Sequence, residues 1–137
     1  MARILVVEDD PNNLELITYL LKAFGHDTLE AHDGEQALEV AQRELPDLVL
    51  MDIQMPVMDG YEAVRLLKNN SAYEATPFLA ITALAMVGDR DKILQAGFDG
   101  YFSKPIDPES FVQQLDRYLL NHLGAASRAT PLTALAA

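Results

Sequence analysis

The chain has 137 residues, a length that suits a single domain with one hydrophobic core. Its formal net charge of −11 argues against direct binding to nucleic acid or to an anionic membrane surface. It contains no cysteine, which excludes disulfides, thiolate catalysis and cysteine-ligated metals. No apolar stretch approaches the roughly 20 residues of a membrane span, and the N-terminus lacks a signal-peptide layout, so we expect a cytoplasmic protein.

Apolar runs and turn residues divide the chain into five predicted strands, each followed by a predicted helix. In chain order the strands are expected at residues 4–7, 28–31, 48–52, 77–82 and 100–102. The third run, Leu48–Asp52, is apolar up to its last residue, which suits a strand that is buried on both faces of a parallel sheet. Pro56 cannot continue a central strand, so this strand should end near Asp52.

Aspartates mark where several of the predicted helices begin. Asp10 precedes Pro11 as an N-cap, and Asp107 stands in the same relation to Pro108. Asp33 and the glutamine three residues later form a capping-box pattern. We therefore expect the first, second and fifth helices to begin directly after these aspartates.

The third helix should follow the Asp59-Gly60 turn, and the fourth should cover residues 86–96 and stop at Gly97. A strand–helix order that is repeated five times predicts a parallel sheet with helices on both faces and right-handed crossovers. From about Gly124 the composition changes to alanine, serine, threonine and proline without apolar periodicity. We expect one domain over residues 1–123 and a disordered tail over residues 124–137.

Carboxylates follow two of the predicted strands. Glu8 and Asp9 come after the first strand, and Asp52 ends the third. Ligands of open α/β sheets bind at the carboxyl ends of the strands, where these like charges would repel unless a cation or a proton separates them. Hard oxygen ligands favour Mg²⁺ over zinc. We assign Asp9 to this metal site and Asp10 to the start of the following helix.

Two further polar residues end strands at the same predicted edge. Thr82 closes the fourth strand, and Lys104 follows the fifth. A carboxylate nucleophile, a divalent ion, a hydroxyl and an ammonium group are the parts that phosphoryl transfer requires. In this reading Asp52 supplies the attacking oxygen, and Lys104 and the metal neutralise the phosphoryl oxygens.

Four motifs then occur in one order: Glu8-Asp9, Met51-Asp52 through Pro56 with Asp59-Gly60, Ile81-Thr82-Ala83, and Ala96-Gly97 leading to Lys104-Pro105. Asp52 and Thr82 are 30 residues apart, and Thr82 and Lys104 are 22 apart. With these motifs and spacings the chain resembles the response-regulator receiver family of the CheY-like type, from Arg3 to about Leu123. The resemblance implies a flavodoxin-like (βα)5 doubly wound fold, with a five-stranded parallel sheet in the order 2-1-3-4-5 and helices on both faces.

The resemblance also implies a role for each motif residue. Asp52 matches the phospho-acceptor, and Lys104 matches the lysine that contacts the phosphate. The remaining matches are the Mg²⁺ ligands Glu8, Asp9, Asp52 and the backbone carbonyl of Gln54, and the switch pair Thr82 and Tyr101. We also expect the Lys104–Pro105 bond to be cis.

Two partner surfaces follow from the resemblance. A histidine kinase or histidine phosphotransferase would dock near residues 12–17. A downstream protein would bind the face of the fourth helix, fifth strand and fifth helix, in contact with Leu84, Tyr101 and Ile106. Only about a dozen residues follow the last predicted helix, so the chain resembles the single-domain regulators, while a receiver cut from a hybrid kinase stays open.

Two other functions fit the fold class. An aspartate-nucleophile phosphatase would need an acid or base two positions after Asp52, where Gln54 cannot transfer a proton. A flavin-binding electron carrier would need a phosphate-binding loop after the first strand, where the acidic residues 8–10 would repel the flavin phosphate. The phospho-acceptor switch therefore ranks first, as an interaction module with slow self-phosphatase chemistry rather than an enzyme.

Overall fold

The computed structural model describes residues 2–55, 58–73, 75–83 and 89–126. Within these ranges five strands alternate with five helices. The strands are β1 (Arg3–Val7), β2 (Asp27–Ala31), β3 (Leu48–Asp52), β4 (Phe78–Thr82) and β5 (Gly100–Ser103). The helices are α1 (Pro11–Ala23), α2 (Gly34–Glu44), α3 (Gly60–Lys68), α4 (Asp89–Ala96) and α5 (Pro108–Ala126), with a 3₁₀ turn at Ser71–Tyr73.

The five strands form one sheet in the order β2-β1-β3-β4-β5, and every neighbouring pair is parallel. This confirms the predicted fold class and strand order. β2 is added on one side of β1, whereas β3, β4 and β5 are added on the other side. The carboxyl ends of β1 and β3 therefore lie side by side, with Val7 opposite Met51.

The core consists of two apolar layers, one on each face of the sheet, because successive strand residues point to opposite sides. Ile4 and Val6 of β1 pack in the layer under α1 and α5. Leu5 and Val7 pack in the layer under α2, α3 and α4. All residues of β3 and β4 are buried, as expected for central strands covered on both faces.

Aspartate N-caps begin three helices as predicted, at Asp10, Asp33 and Asp107, and a fourth at Asp59, which was predicted only as part of a turn. The carboxylates of Asp10, Asp33 and Asp59 accept hydrogen bonds from the first-turn amides of α1, α2 and α3 at 3.0, 2.8 and 3.0 Å. Asp107 accepts from the amide of Glu109 at 3.3 Å. The caps hold the helix N-termini at the edge of the sheet where the strands end.

The end of α5 differs from the prediction, and the start of the predicted fourth helix lies outside the described residues. α5 continues to Ala126, past the predicted domain boundary at residue 123, because Ala125 and Ala126 are strong helix formers and do not stop a helix. The rest of the predicted tail, residues 127–137, lies outside the described residues. So do residues 86–88 of the predicted fourth helix, which is described from Asp89. None of the helices in the described ranges is long and apolar enough to cross a membrane.

Candidate functional site

The pairing of β1 with β3 brings the predicted carboxylates together. Glu8 and Asp9 follow the last residue of β1, and Asp52 is the last residue of β3. Carboxylate oxygens of Glu8, Asp9 and Asp52 lie within 4.8 Å of one another. The structure therefore groups these three carboxylates as predicted, at the edge of the sheet where α/β proteins bind ligands.

Asp52 is held from two directions. Its Oδ1 atom accepts a hydrogen bond from the backbone amide of Gln54 at 3.0 Å, and its Oδ2 atom accepts one from Lys104 Nζ at 3.0 Å. Only 3% of the residue is exposed. A charged donor and a backbone donor thus orient a carboxylate that is almost removed from bulk water.

Glu8 is the most buried charged residue of the site, with no exposed surface. Its Oε2 atom accepts a hydrogen bond from the amide of Asp10 at 3.2 Å. Its Oε1 atom lies 3.3 Å from Lys104 Nζ but has no hydrogen-bond partner. Burial raises the pKa of Glu8 to about 7, and the neighbouring Asp52 adds to the rise, while the Asp10 amide and Lys104 oppose it.

Lys104, the first residue after β5, reaches the two buried carboxylates. Its backbone amide donates to the carbonyl of Thr82 at 2.8 Å, which fixes the start of the loop beyond β5. Burial acts to lower the pKa of Lys104, but the hydrogen bond and charge of Asp52, together with Glu8, outweigh burial and raise it. The ammonium therefore stays charged beside the carboxylates. The Lys104–Pro105 peptide bond is cis, as predicted.

The acidic group can hold a divalent metal ion. Asp9 is exposed, whereas Glu8 and Asp52 are buried, so a cation would have carboxylates on its protein side and water on the other. The Oε1 atom of Glu8, which has no hydrogen-bond partner, supplies a buried acceptor, and an all-oxygen donor set suits a hard cation. Asp10 instead caps α1, in agreement with its predicted role.

The remaining predicted residues lie around this group. The side chain of Gln54 is exposed, and Thr82 is buried at the end of β4. Tyr101 lies half-buried on β5, one strand further along the sheet. Leu84, which was predicted to contribute to the partner face, lies outside the described residues. Lys104 contacts the carboxylates, and Thr82 follows Ile81, the register partner of Asp52. Tyr101 lies two residues before Ser103, the register partner of Thr82.

Sequence reasoning missed one residue of the site, Gly60. The pair Asp59-Gly60 was interpreted only as a turn, but the Gly60 amide donates to the carbonyl of Ile53 at 2.9 Å. A Cβ atom at this position would lie 2.8 Å from the carbonyl oxygen of Asp52. A glycine at the first position of a helix, eight residues after Asp52, was the signal available in the sequence.

Comparison with known proteins places this fold and site in a family. The sequence matches the response regulator receiver domain over residues 4–116. The match covers most of the chain, and the chain belongs to this family.

Individual relatives agree with this assignment. The chain is 39% identical over 116 residues to the polar-differentiation response regulator DivK of Brucella anthropi, covering 85% of this chain and 94% of that protein. Chemotaxis protein CheY4 of Vibrio cholerae has a similar structure, with a TM-score of 0.82 and 31% identity over 86% of this chain and 98% of that one.

A third relative has a metal in its site. The receiver domain of the sensor histidine kinase PA1611 from Pseudomonas aeruginosa is 37% identical, with a TM-score of 0.78, and covers 90% of this chain and 98% of its own. That structure has a magnesium ion coordinated in the active-site cleft.

Proposed function

We propose that this receiver domain is a cytoplasmic signalling switch that accepts a phosphoryl group on Asp52, with Mg²⁺ held by Glu8, Asp9, Asp52 and the carbonyl of Gln54. The observation that carries the proposal is the position of the Asp52 carboxylate, 3.0 Å from the Lys104 ammonium and grouped with two further carboxylates. Of the two buried carboxylates beside the Lys104 ammonium, Asp52 is the closer, at 3.0 Å compared with 3.3 Å for Glu8.

The reaction is a transfer from a phosphohistidine. A carboxylate oxygen of Asp52 forms a bond to phosphorus, while the bond between phosphorus and the imidazole nitrogen breaks and the electron pair leaves with the imidazole. The hydrogen bonds from the Gln54 amide and Lys104 orient Asp52 before the reaction. Bound Mg²⁺ supplies positive charge that offsets the charge of the phosphoryl oxygens.

Lys104 serves both states of the site. Before transfer it pairs with Asp52 and Glu8, which together would otherwise place two negative charges in a buried space. After transfer the phosphoryl oxygens are the nearest new anionic acceptors, and the flexible ammonium donates to them. Thr82, at the end of the neighbouring strand, offers its hydroxyl to the same group.

Other proteins then recognise the phosphorylated domain by binding to it. Tyr101 is half-buried on β5, and a partner that binds one position of its ring more tightly than another shifts the balance between them. A cavity of about 330 Å³ beside it is lined by residues that include Tyr101, Phe102, Ile106 and Phe111. The cavity lies between β5 and α5, and it supports docking of a downstream protein on that part of the face formed by α4, β5 and α5.

The phosphoryl donor is a histidine kinase or a histidine phosphotransferase. The expected docking region at residues 12–17 includes exposed positions on α1, among them Asn12 and Leu16. The relatives include both a response regulator and the receiver domain of a sensor histidine kinase. We infer that the domain acts as a switch with slow self-dephosphorylation rather than as an enzyme with turnover, because Gln54, two positions after Asp52, cannot transfer a proton.

The proposal is tested by intact-mass measurement after incubation with acetyl phosphate and Mg²⁺. We expect wild type to gain one phosphoryl group and Asp52→Asn to gain none. Asp47→Asn is the matched control, because Asp47 lies just before the opposite end of β3 and should leave the gain unchanged. A full mass gain in Asp52→Asn would refute the assignment of Asp52.

A further inference from the structure

Two helices that begin with an Asp-Gly pair pack against the connection that follows Asp52. Gly34 is the first residue of α2 after the cap Asp33, and Gly60 is the first residue of α3 after the cap Asp59. Neither glycine has the positive φ that only glycine adopts readily. Because alanine is the better helix former, the backbone alone gives no reason for glycine at either position.

The reason for glycine is space. A Cβ atom on Gly60 would lie 2.8 Å from the carbonyl oxygen of Asp52 and 2.9 Å from the Cα atom of Ile53. These are backbone atoms, which cannot rotate away as the end of a side chain can. The amide of Gly60 also donates to the carbonyl of Ile53 at 2.9 Å. The start of α3 is therefore in direct contact with the peptide that carries Asp52.

Gly34 makes the equivalent contact at the other end of the connection. A Cβ atom there would lie 2.6 Å from the carbonyl oxygen of Met58 and 2.9 Å from its Cβ atom. Met58 directly precedes the cap of α3. The start of α2 thus limits the position of the same connection where it enters α3.

We propose that Gly34 and Gly60 are positioning residues for the acceptor site. Because they have no side chains, the starts of α2 and α3 can pack closely against the chain that follows β3. This packing holds Asp52 and Gln54 in the positions that the acceptor site requires. The inference deepens the proposed function and rests on it. A methyl group on Gly60 would displace either the first turn of α3 or the peptide of Asp52. In the second case the hydrogen bond from the Gln54 amide to Asp52 Oδ1, now 3.0 Å, would change as well.

Gly100 provides a matched control elsewhere in the fold. A Cβ atom there would collide with the hydroxyl of Tyr118, which is the far end of a flexible side chain. Gly100 begins β5 opposite Leu79, away from the carboxyl ends of the strands. Gly100→Ala therefore makes the same chemical change and also introduces crowding, but not at the acceptor site.

The experiment compares Gly60→Ala, Gly34→Ala and Gly100→Ala with wild type. For each variant it measures urea unfolding, Mg²⁺ affinity, the rate of phosphorylation by acetyl phosphate and the amide chemical shifts of Asp52 and Gln54 without metal. Because small misplacements of reacting groups are costly, we expect Gly60→Ala to lose at least about tenfold in phosphorylation rate, with weaker Mg²⁺ binding and shifted amides. Gly34→Ala should show the same changes to a smaller extent, and Gly100→Ala should keep wild-type values in all three site measurements.

Folded Gly60→Ala with wild-type rate, affinity and amide shifts would overturn the inference. Equal losses in Gly100→Ala would also overturn it, because they would trace the effect to general destabilisation. If Gly60→Ala does not fold, Gly34→Ala decides by the same criteria. If wild type itself is not phosphorylated, the proposed function fails, whereas the metal-free amide shifts still test the positioning of Asp52.

Discussion

Glu8→Gln should remove a pH dependence of stability that the buried acidic pair creates. Glu8 has no exposed surface, its Oε1 atom lacks a hydrogen-bond partner, and Asp52 lies beside it. Burial and this neighbour raise the pKa of Glu8 from 4.5 to about 7. Without metal, the folded protein therefore holds a proton on Glu8 more tightly than the unfolded chain does.

The sign and size follow from this difference. A raised folded-state pKa stabilises the protein fully below pH 4.5, and this stabilisation is lost as the pH rises through about 7. At roughly 1.4 kcal/mol per pH unit of difference, the loss amounts to about 3 kcal/mol. The pKa of Lys104 is raised above 10.5, so Lys104 stays protonated in both states and adds no slope between pH 5 and 8.

Urea unfolding in EDTA at several pH values between 5 and 8 measures this effect. We expect the free energy of unfolding of wild type to fall relative to Glu8→Gln by about 3 kcal/mol across this range. Glu39→Gln, the same change at an exposed position on α2, should keep the wild-type slope. Mg²⁺ should restore more stability to wild type at pH 8 than at pH 5, because it binds the ionised carboxylates.

Equal slopes in wild type and Glu8→Gln would refute the reasoning. They would mean that Glu8 has the same pKa in the folded and the unfolded chain. The two buried carboxylates would then show no repulsion that a bound cation could reduce. Far-ultraviolet circular dichroism of each variant at both ends of the pH range verifies that the compared states are folded.

Three further predictions concern single residues of the site. Lys104→Met should slow phosphorylation by acetyl phosphate on the order of 10²-fold, because it removes the ammonium that donates to the transferred group, and a rate near wild type would contradict this role. Asp9→Ala should remove most Mg²⁺ binding in a calorimetric titration, since few protein ligands supply this ion, and an unchanged isotherm would exclude Asp9 as a ligand. Thr82→Val should still accept the phosphoryl group, but the amide shifts that beryllofluoride induces at Tyr101 should shrink, whereas undiminished shifts would remove Thr82 from the switch.

The sequence predicted the fold because its local signals agree with one another. The apolar run of β3 and the aspartate caps of α1 and α2 each specify one element, and five alternating elements allow few arrangements. The shared position of Glu8, Asp9 and Asp52 then follows from strand ends that meet at one edge. These parts required no knowledge of side-chain contacts.

Other features depend on contacts between distant parts of the chain and could not be predicted. Glu8 and Asp9 are neighbours in sequence, yet one is buried and the other exposed, because the chain turns from β1 toward α1 at this point. Gly34 and Gly60 look like ordinary turn residues until Met58 and Asp52 are found against them. Such contacts depend on how the whole domain packs, and local sequence patterns carry no information about them.

The most direct test of the central claim is to locate the phosphoryl group on the chain. After phosphorylation with acetyl phosphate and Mg²⁺, borohydride reduction and peptide mapping identify the modified aspartate. The account predicts a single modified residue, Asp52, in Mg²⁺ and almost none in EDTA. Modification at another aspartate, or modification of Asp52 that is indifferent to Mg²⁺, would contradict it.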